Sequence, residues 1–281
     1  MRARRRDDRG APASDAAVNP VATRTVSIAG VPLEVLDLDG AAGQAPLVLL
    51  HEGLGSVGLW REFPRELNER TGRRLIAFSR FGHGASGPPP RRRTPAFFHE
   101  EALAVLPELL ATLDAARPVL VGHSDGASIA LVHAAHHDVC ALVLLAPHVI
   151  VEDMTLQAIR HTRETYRAGH LRERMRRYHS DPDAAFWGWC DVWLDPAFRD
   201  WSLEPEAALV RAPTLLIQGS EDPYGSLEQL ERIEHNARGH VERLVVPGGH
   251  SPHLEHTVDV IEAIARFLDR QASGGEAGGP A

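Results

Sequence analysis

Short, unbroken apolar runs at 46–50, 75–78, 119–121, 141–145, 214–217 and 244–246 constrain this chain most. Each is rich in Val, Leu or Ile and fits a strand covered on both faces. Between them lie stretches with apolar residues near helical spacing, at 59–70, 97–115, 127–136, 227–236 and 252–267. Strand and helix in alternation predict a mostly parallel sheet with helices on both faces. Two earlier runs, 23–28 and 33–38, alternate apolar and polar residues as a solvent-facing antiparallel pair does, and Gly30 and Pro32 fit the turn between them.

One segment breaks the rhythm. Residues 148–206 hold no credible strand, but carry Tyr166, Phe186, Trp187, Trp189, Trp193 and Trp201 among many charges. Four of the five tryptophans fall here, so the segment reads as a helical cap over a pocket, with Trp187, Trp189 and Trp193 as candidate lining. The expected division is a disordered tail at 1–22, a core at 23–147 and 207–270, the cap at 148–206, and a second disordered tail at 271–281. A chain of 281 residues suits one such domain with an insertion.

The formal charge of −8 argues against nucleic acid as a partner. Basic clusters at Arg2, Arg4, Arg5 and Arg6 and at Arg91, Arg92 and Arg93 read as solvated surface. Cys140 and Cys190 make no disulfide framework and read as reduced thiols. No apolar run follows the basic N-terminus as a signal peptide requires, and no stretch is long enough to span a bilayer. The expectation is a cytoplasmic protein with no membrane partner. Self-association into a homo-oligomer stays open.

The residues that carry chemistry begin at Gly122-His123-Ser124-Asp125-Gly126, a G-x-S-x-G between an apolar strand and an amphipathic helix. That setting places Ser124 on a sharp, strained turn with its hydroxyl above the sheet. The helix N-terminus offers free N–H groups to an oxyanion formed there.

The motif and its surroundings, from about residue 23 to 270, resemble the cap-bearing serine hydrolases of the α/β-hydrolase superfamily. The resemblance implies an eight-stranded, mostly parallel sheet and a triad in the chain order Ser, Asp, His. Asp222 then matches the acid, in G-S-E-D with Gly219, and is preferred over Glu221 on spacing. His250 matches the base, because G-H-S-P-H-L-E looks like the family's histidine loop. His253 and His256 fall instead on the helix that Pro252 starts. The backbone N–H of Asp125 matches one oxyanion donor. The loop L-H-E-G-L-G-S resembles the family's H-G-x loop, so Gly53 matches the second, with Leu54 as its rival. Glu52 departs from the usual Gly and is either a substrate-facing carboxylate or a loop anchor. The Asp125 carboxylate either favours the helix start or faces the pocket and disfavours anions. S-R-F-G-H-G-A-S, Ser79 to Ser86, resembles the family's structural loop after the fourth strand, begun here by Ser rather than Asp.

These residues point to hydrolysis of a small, partly apolar carboxylic ester through an acyl-enzyme on Ser124. No cofactor is implied, and no residue cluster has metal-ligand spacing. The same triad serves carbon–carbon, amide and lactone hydrolases, and fold does not choose among them. A non-catalytic binding protein on this fold would usually have lost one member of the triad.

Overall fold

The computed structural model describes residues 22–274. The strands are β1 (Arg24–Ile28), β2 (Val31–Leu38), β3 (Leu47–Leu50), β4 (Leu75–Phe78), β5 (Val119–His123), β6 (Ala141–Leu145), β7 (Thr214–Gly219) and β8 (Val241–Val246). They form one eight-stranded sheet in the order β1-β2-β4-β3-β5-β6-β7-β8. β1 and β2 pair antiparallel, as do β2 and β4; every later pair is parallel.

The period of two along each central strand sorts side chains onto two faces. Val48, Leu50, Leu120, Leu142 and Leu144 enter one apolar core. Leu47, Leu49, Val121, Val143 and Leu145 enter the other. Burying each such side chain stabilises the fold by roughly 1.5–3 kcal/mol. Residues 244–246 depart from the expected two-sided cover. β8 is the sheet edge, so Leu244 is only half-buried and Val245 is exposed.

Three expected helices are interrupted. The stretch 59–70 begins as a 3-10 turn, Val57–Trp60, breaks at Arg61 (φ 54°), and resumes as Phe63–Thr71. The stretch 97–115 runs from Phe97–Glu100 through a π-helical turn, Glu101–Val105, into Leu106–Thr112. Pro107 removes one N–H from the ladder there, and the wider turn accommodates the loss. The stretch 252–267 splits at His256 into Pro252–Glu255 and Thr257–Gly274. That last helix continues four residues past the expected end of the core at 270; the rest of both tails lies outside the described residues.

Between β6 and β7 lie helices Asp153–Arg167, His170–Met175 and Pro182–Trp193, a 3-10 turn Pro196–Phe198, and helix Glu204–Ala207. A single antiparallel bridge, Ile150 to Ser202, ties the ends of this segment together. Asp181 caps helix Pro182–Trp193 by accepting the Ala184 N–H at 2.9 Å, and Pro182 presets its first turn. Phe98 of the core stacks on Phe198 and meets Trp193 and Trp201 edge-on or tilted, with ring centres 4.9–6.1 Å apart. Each such pair adds about 0.5–1.5 kcal/mol beyond its buried area. Among the described residues no helix is long and apolar enough to cross a membrane.

Candidate active site

The chain leaves β3 for β4 on one side and reaches β5 on the other, so the carboxyl ends of β3 and β5 flank a topological switch point where α/β sheets bind ligands. Ser124 stands at the end of β5 with φ 54° and ψ −118°, a strained conformation for a residue with a side chain. The flanking glycines are sterically required. A methyl at Gly122 would lie 2.4 Å from the Gly126 carbonyl oxygen, and one at Gly126 would lie 2.0 Å from the Leu50 carbonyl oxygen.

The Ser124 hydroxyl donates to His250 Nε2 at 2.9 Å, and His250 Nδ1–H donates to the two Asp222 oxygens at 2.9 and 2.8 Å. Asp222 also accepts the Tyr224 N–H at 2.8 Å. Burial pushes the Asp222 carboxyl up, but the hydrogen bond and charge of His250 outweigh it, and the net value lies below the ordinary one. Glu221, the rival acid, is exposed. His253 is buried against Trp60, Phe63 and His123, and His256 approaches Asp259 at 3.7 Å. Neither meets Ser124. His123 Nε2 holds the His250 carbonyl at 2.7 Å, so the motif's own histidine fixes the backbone of the neighbouring loop.

The loop after β3 is held from behind. His51 Nε2 accepts the Arg80 N–H at 2.9 Å, so its Nδ1–H donates to the Glu52 carbonyl at 2.7 Å; Arg80 Nη2 donates to the same carbonyl at 2.9 Å. His83 Nε2–H holds the Gly53 carbonyl at 3.0 Å, and His179 Nε2–H holds that of Leu54 at 2.9 Å. In a trans peptide the N–H points opposite to the carbonyl. Fixing the Glu52 carbonyl therefore aims the Gly53 N–H away from this network. The Leu54 N–H is taken by the Glu52 carboxylate. Among the described residues no hydrogen bond takes up the Gly53 or Asp125 N–H.

Sequence reasoning missed His51, Arg80, His83 and His179 as a set. Each lies near a strand end or loop, but they meet only in three dimensions. Arg93, read as solvated, turns inward to the Phe81 carbonyl (2.8 Å) and His83 Nδ1 (3.2 Å), and burial lowers it to about 10. Ser79 ties its loop to the core by donating to Glu34 at 2.7 Å and accepting the Val57 N–H at 2.9 Å.

A cavity of about 210 Å³ opens over Ser124, lined among others by Glu52, Gly53, Asp125, Trp189, Trp193 and Tyr224. Glu52 and Asp125 both contribute to its wall. Burial raises Glu52 to about 7, against the lowering pull of the Leu54 N–H and Arg80, and it also raises Asp125. Trp187 does not line this cavity. It turns to a separate hollow beside Arg92, Arg93 and Asp191, because helical spacing sends positions 187 and 189 in different directions. His148, just past the end of β6, also lines the Ser124 cavity and was not anticipated. Its place at a strand's carboxyl end was the signal available.

Comparison with known proteins agrees with this architecture. The chain is 31% identical over 108 residues to the sn-1-specific diacylglycerol lipase ABHD11 of Danio rerio, covering 38% of this chain but only 32% of that protein. It is 25% identical over 243 residues to the serine hydrolase BPHL of Mus musculus, covering 80% of each. Its fold is similar to that of a bacterial membrane phospholipase A (TM-score 0.75, 20% identity, covering 89% of this chain and 86% of the other). The sequence profile described as the alpha/beta hydrolase family matches residues 47–263, and the chain belongs to that family.

Proposed function

We propose that the protein is a serine hydrolase that cleaves a small, partly apolar carboxylic ester through an acyl-enzyme on Ser124. The observation that carries this reading is the hydrogen-bonded series from Ser124 through His250 to Asp222. His250 Nε2 takes the hydroxyl proton as Ser124 Oγ attacks the acyl carbon. Asp222 fixes the His250 tautomer and stabilises the imidazolium. The free N–H groups of Gly53 and Asp125 hold the tetrahedral oxyanion. Collapse expels the alcohol with the proton from His250. Water, deprotonated by His250, then attacks the acyl-enzyme and releases the acid.

The segment 148–206 serves as the cap in this reading. It supplies Trp189 and Trp193 to the cavity wall, which supports a partly apolar substrate, and the small volume supports a short one. The Glu52 and Asp125 carboxylates disfavour anionic acyl groups.

The test is a panel of p-nitrophenyl esters of rising acyl length on the protein and on Ser124→Ala. Turnover lost in the variant establishes the nucleophile, and the optimal chain length sizes the pocket. Equal turnover in both proteins removes Ser124 from the reaction. If neither turns over, labelling of Ser124 by a fluorophosphonate separates an enzyme for carbon–carbon, lactone or amide substrates from a binding protein.

A further inference from the structure

His148 is 2% exposed, yet among the described residues neither ring nitrogen has a hydrogen-bond partner. Buried polar groups without partners are rare and cost about 1–3 kcal/mol. The Ser124–His250–Asp222 series leaves this one unused. The residue is held in place by its backbone: Ser128 Oγ donates to the His148 carbonyl at 2.6 Å. Its ring stands edge-on to Trp193 at 5.1 Å and lies 5.8 Å from the His250 ring.

The two nitrogens differ. Nδ1 is fully enclosed, on the side of Gly225, where a methyl would come within 3.6 Å of it. Nε2 is not enclosed in that way, and the residue lines the Ser124 cavity. An enclosed N–H without an acceptor is rarer than a bare acceptor, so the proton belongs on Nε2, where the ring offers a donor to the cavity. Burial lowers His148 to about 3, so the ring is neutral at ordinary pH.

Trp193 also touches Asp125, donating Nε1–H to Oδ1 at 3.1 Å; Oδ2 has no hydrogen-bond partner among the described residues. A donor on His148 and an acceptor on Asp125 thus flank the same indole. A hydroxyl is the neutral group whose chemistry suits both, since it can accept from an N–H and donate to a carboxylate. A carboxylate is repelled by Asp125 and Glu52 when these are ionised, which for Glu52 means above about pH 7.

We propose that His148 and Asp125 form a hydroxyl-recognition subsite in the Ser124 cavity, and that the preferred substrates are neutral esters bearing a free hydroxyl. This rests on the reading of that cavity as the substrate site. His148 acts here as a specificity residue, binding substrate without entering the bond-making steps.

The experiment compares matched ester pairs with and without one hydroxyl, placed at successive positions on the acyl chain and on the alcohol. At one position or more, the wild type should favour the hydroxylated ester at least about tenfold in kcat/KM, the worth of one or two hydrogen bonds. His148→Phe should bring that ratio to about one. His148→Gln, whose amide nitrogen reaches near Nε2, should recover part of it, as a merely structural role would not. The proposal is overturned by a wild type that treats every pair alike, or by a preference that survives intact in His148→Phe. If no ester turns over, the same pairs are bound to Ser124→Ala and measured by calorimetry. A hydroxyl preference there upholds the subsite even though the esterase reading has failed, and equal binding ends it.

Discussion

Trp193 Nε1 donates to Asp125 Oδ1 across 3.1 Å, joining helix Pro182–Trp193 to the residue that follows Ser124. Asp125 is 1% exposed and opens helix Asp125–His136, where the dipole favours an acid. The expected choice between helix start and pocket is not exclusive, because Asp125 occupies both. Trp193→Phe strips the carboxylate of this donor and should lower stability by about 1–3 kcal/mol. In an Asp125→Ala background the same change should cost less. Thermal unfolding of the four proteins checks this, and strictly additive losses would remove the coupling.

Asp222→Asn keeps the shape of the acid but loses its charge. The amide can present its NH₂ to His250 and favour the wrong tautomer. The rate of fluorophosphonate labelling at Ser124 should fall by about 10³–10⁴ with little change in melting temperature. A labelling rate within tenfold of wild type would show that another acid, such as Glu221, orients His250.

Gly53→Ala would place a methyl 2.2 Å from Trp189 Cδ1 and 2.3 Å from its Nε1. Either the indole or the loop must shift, and the Gly53 N–H moves with the loop. Loss of one oxyanion donor lowers kcat by about 10²–10³. Ester kinetics with KM and kcat resolved provide the check: a loss confined to KM would place the effect on the Trp189 wall instead.

Glu52 is raised from 4.5 to about 7 in the folded protein. Between those values the folded state keeps the proton that the unfolded state releases, so the stability associated with Glu52 declines as pH rises from about 4.5 to 7. Glu52→Gln retains an acceptor for the Leu54 N–H and has no charge to bury. Above pH 7 it should be more stable than wild type by on the order of 2 kcal/mol, or about 4–8 °C in melting temperature. Near pH 4 the advantage should vanish. An advantage equal at both pH values would mean that Glu52 does not titrate with a raised pKa.

Much of the site was legible because its signals are local. The glycines at 122 and 126 are dictated by contacts within one strand–turn–helix unit and the neighbouring β3, so the motif announces the turn. Asp222 and His250 were legible through the family resemblance, which implies an acid and then a histidine after later strands. The interruptions at Arg61, Pro107 and His256 were not legible, since apolar spacing reports which face is buried and not whether the ladder is continuous.

By itself, the sequence determined the alternation of strand and helix, the two-sided core and the place of Ser124, because periodicity and turn chemistry act over a few residues. Tertiary structure decided which tryptophans face the cavity. It also decided that Arg80, His51, His83 and His179 hold the loop at 52–54 from behind. Apart from the bond of His51 to its neighbour Glu52, those bonds join residues 28 to 125 positions apart, and their geometry is set by the packing of the whole sheet rather than by any local pattern.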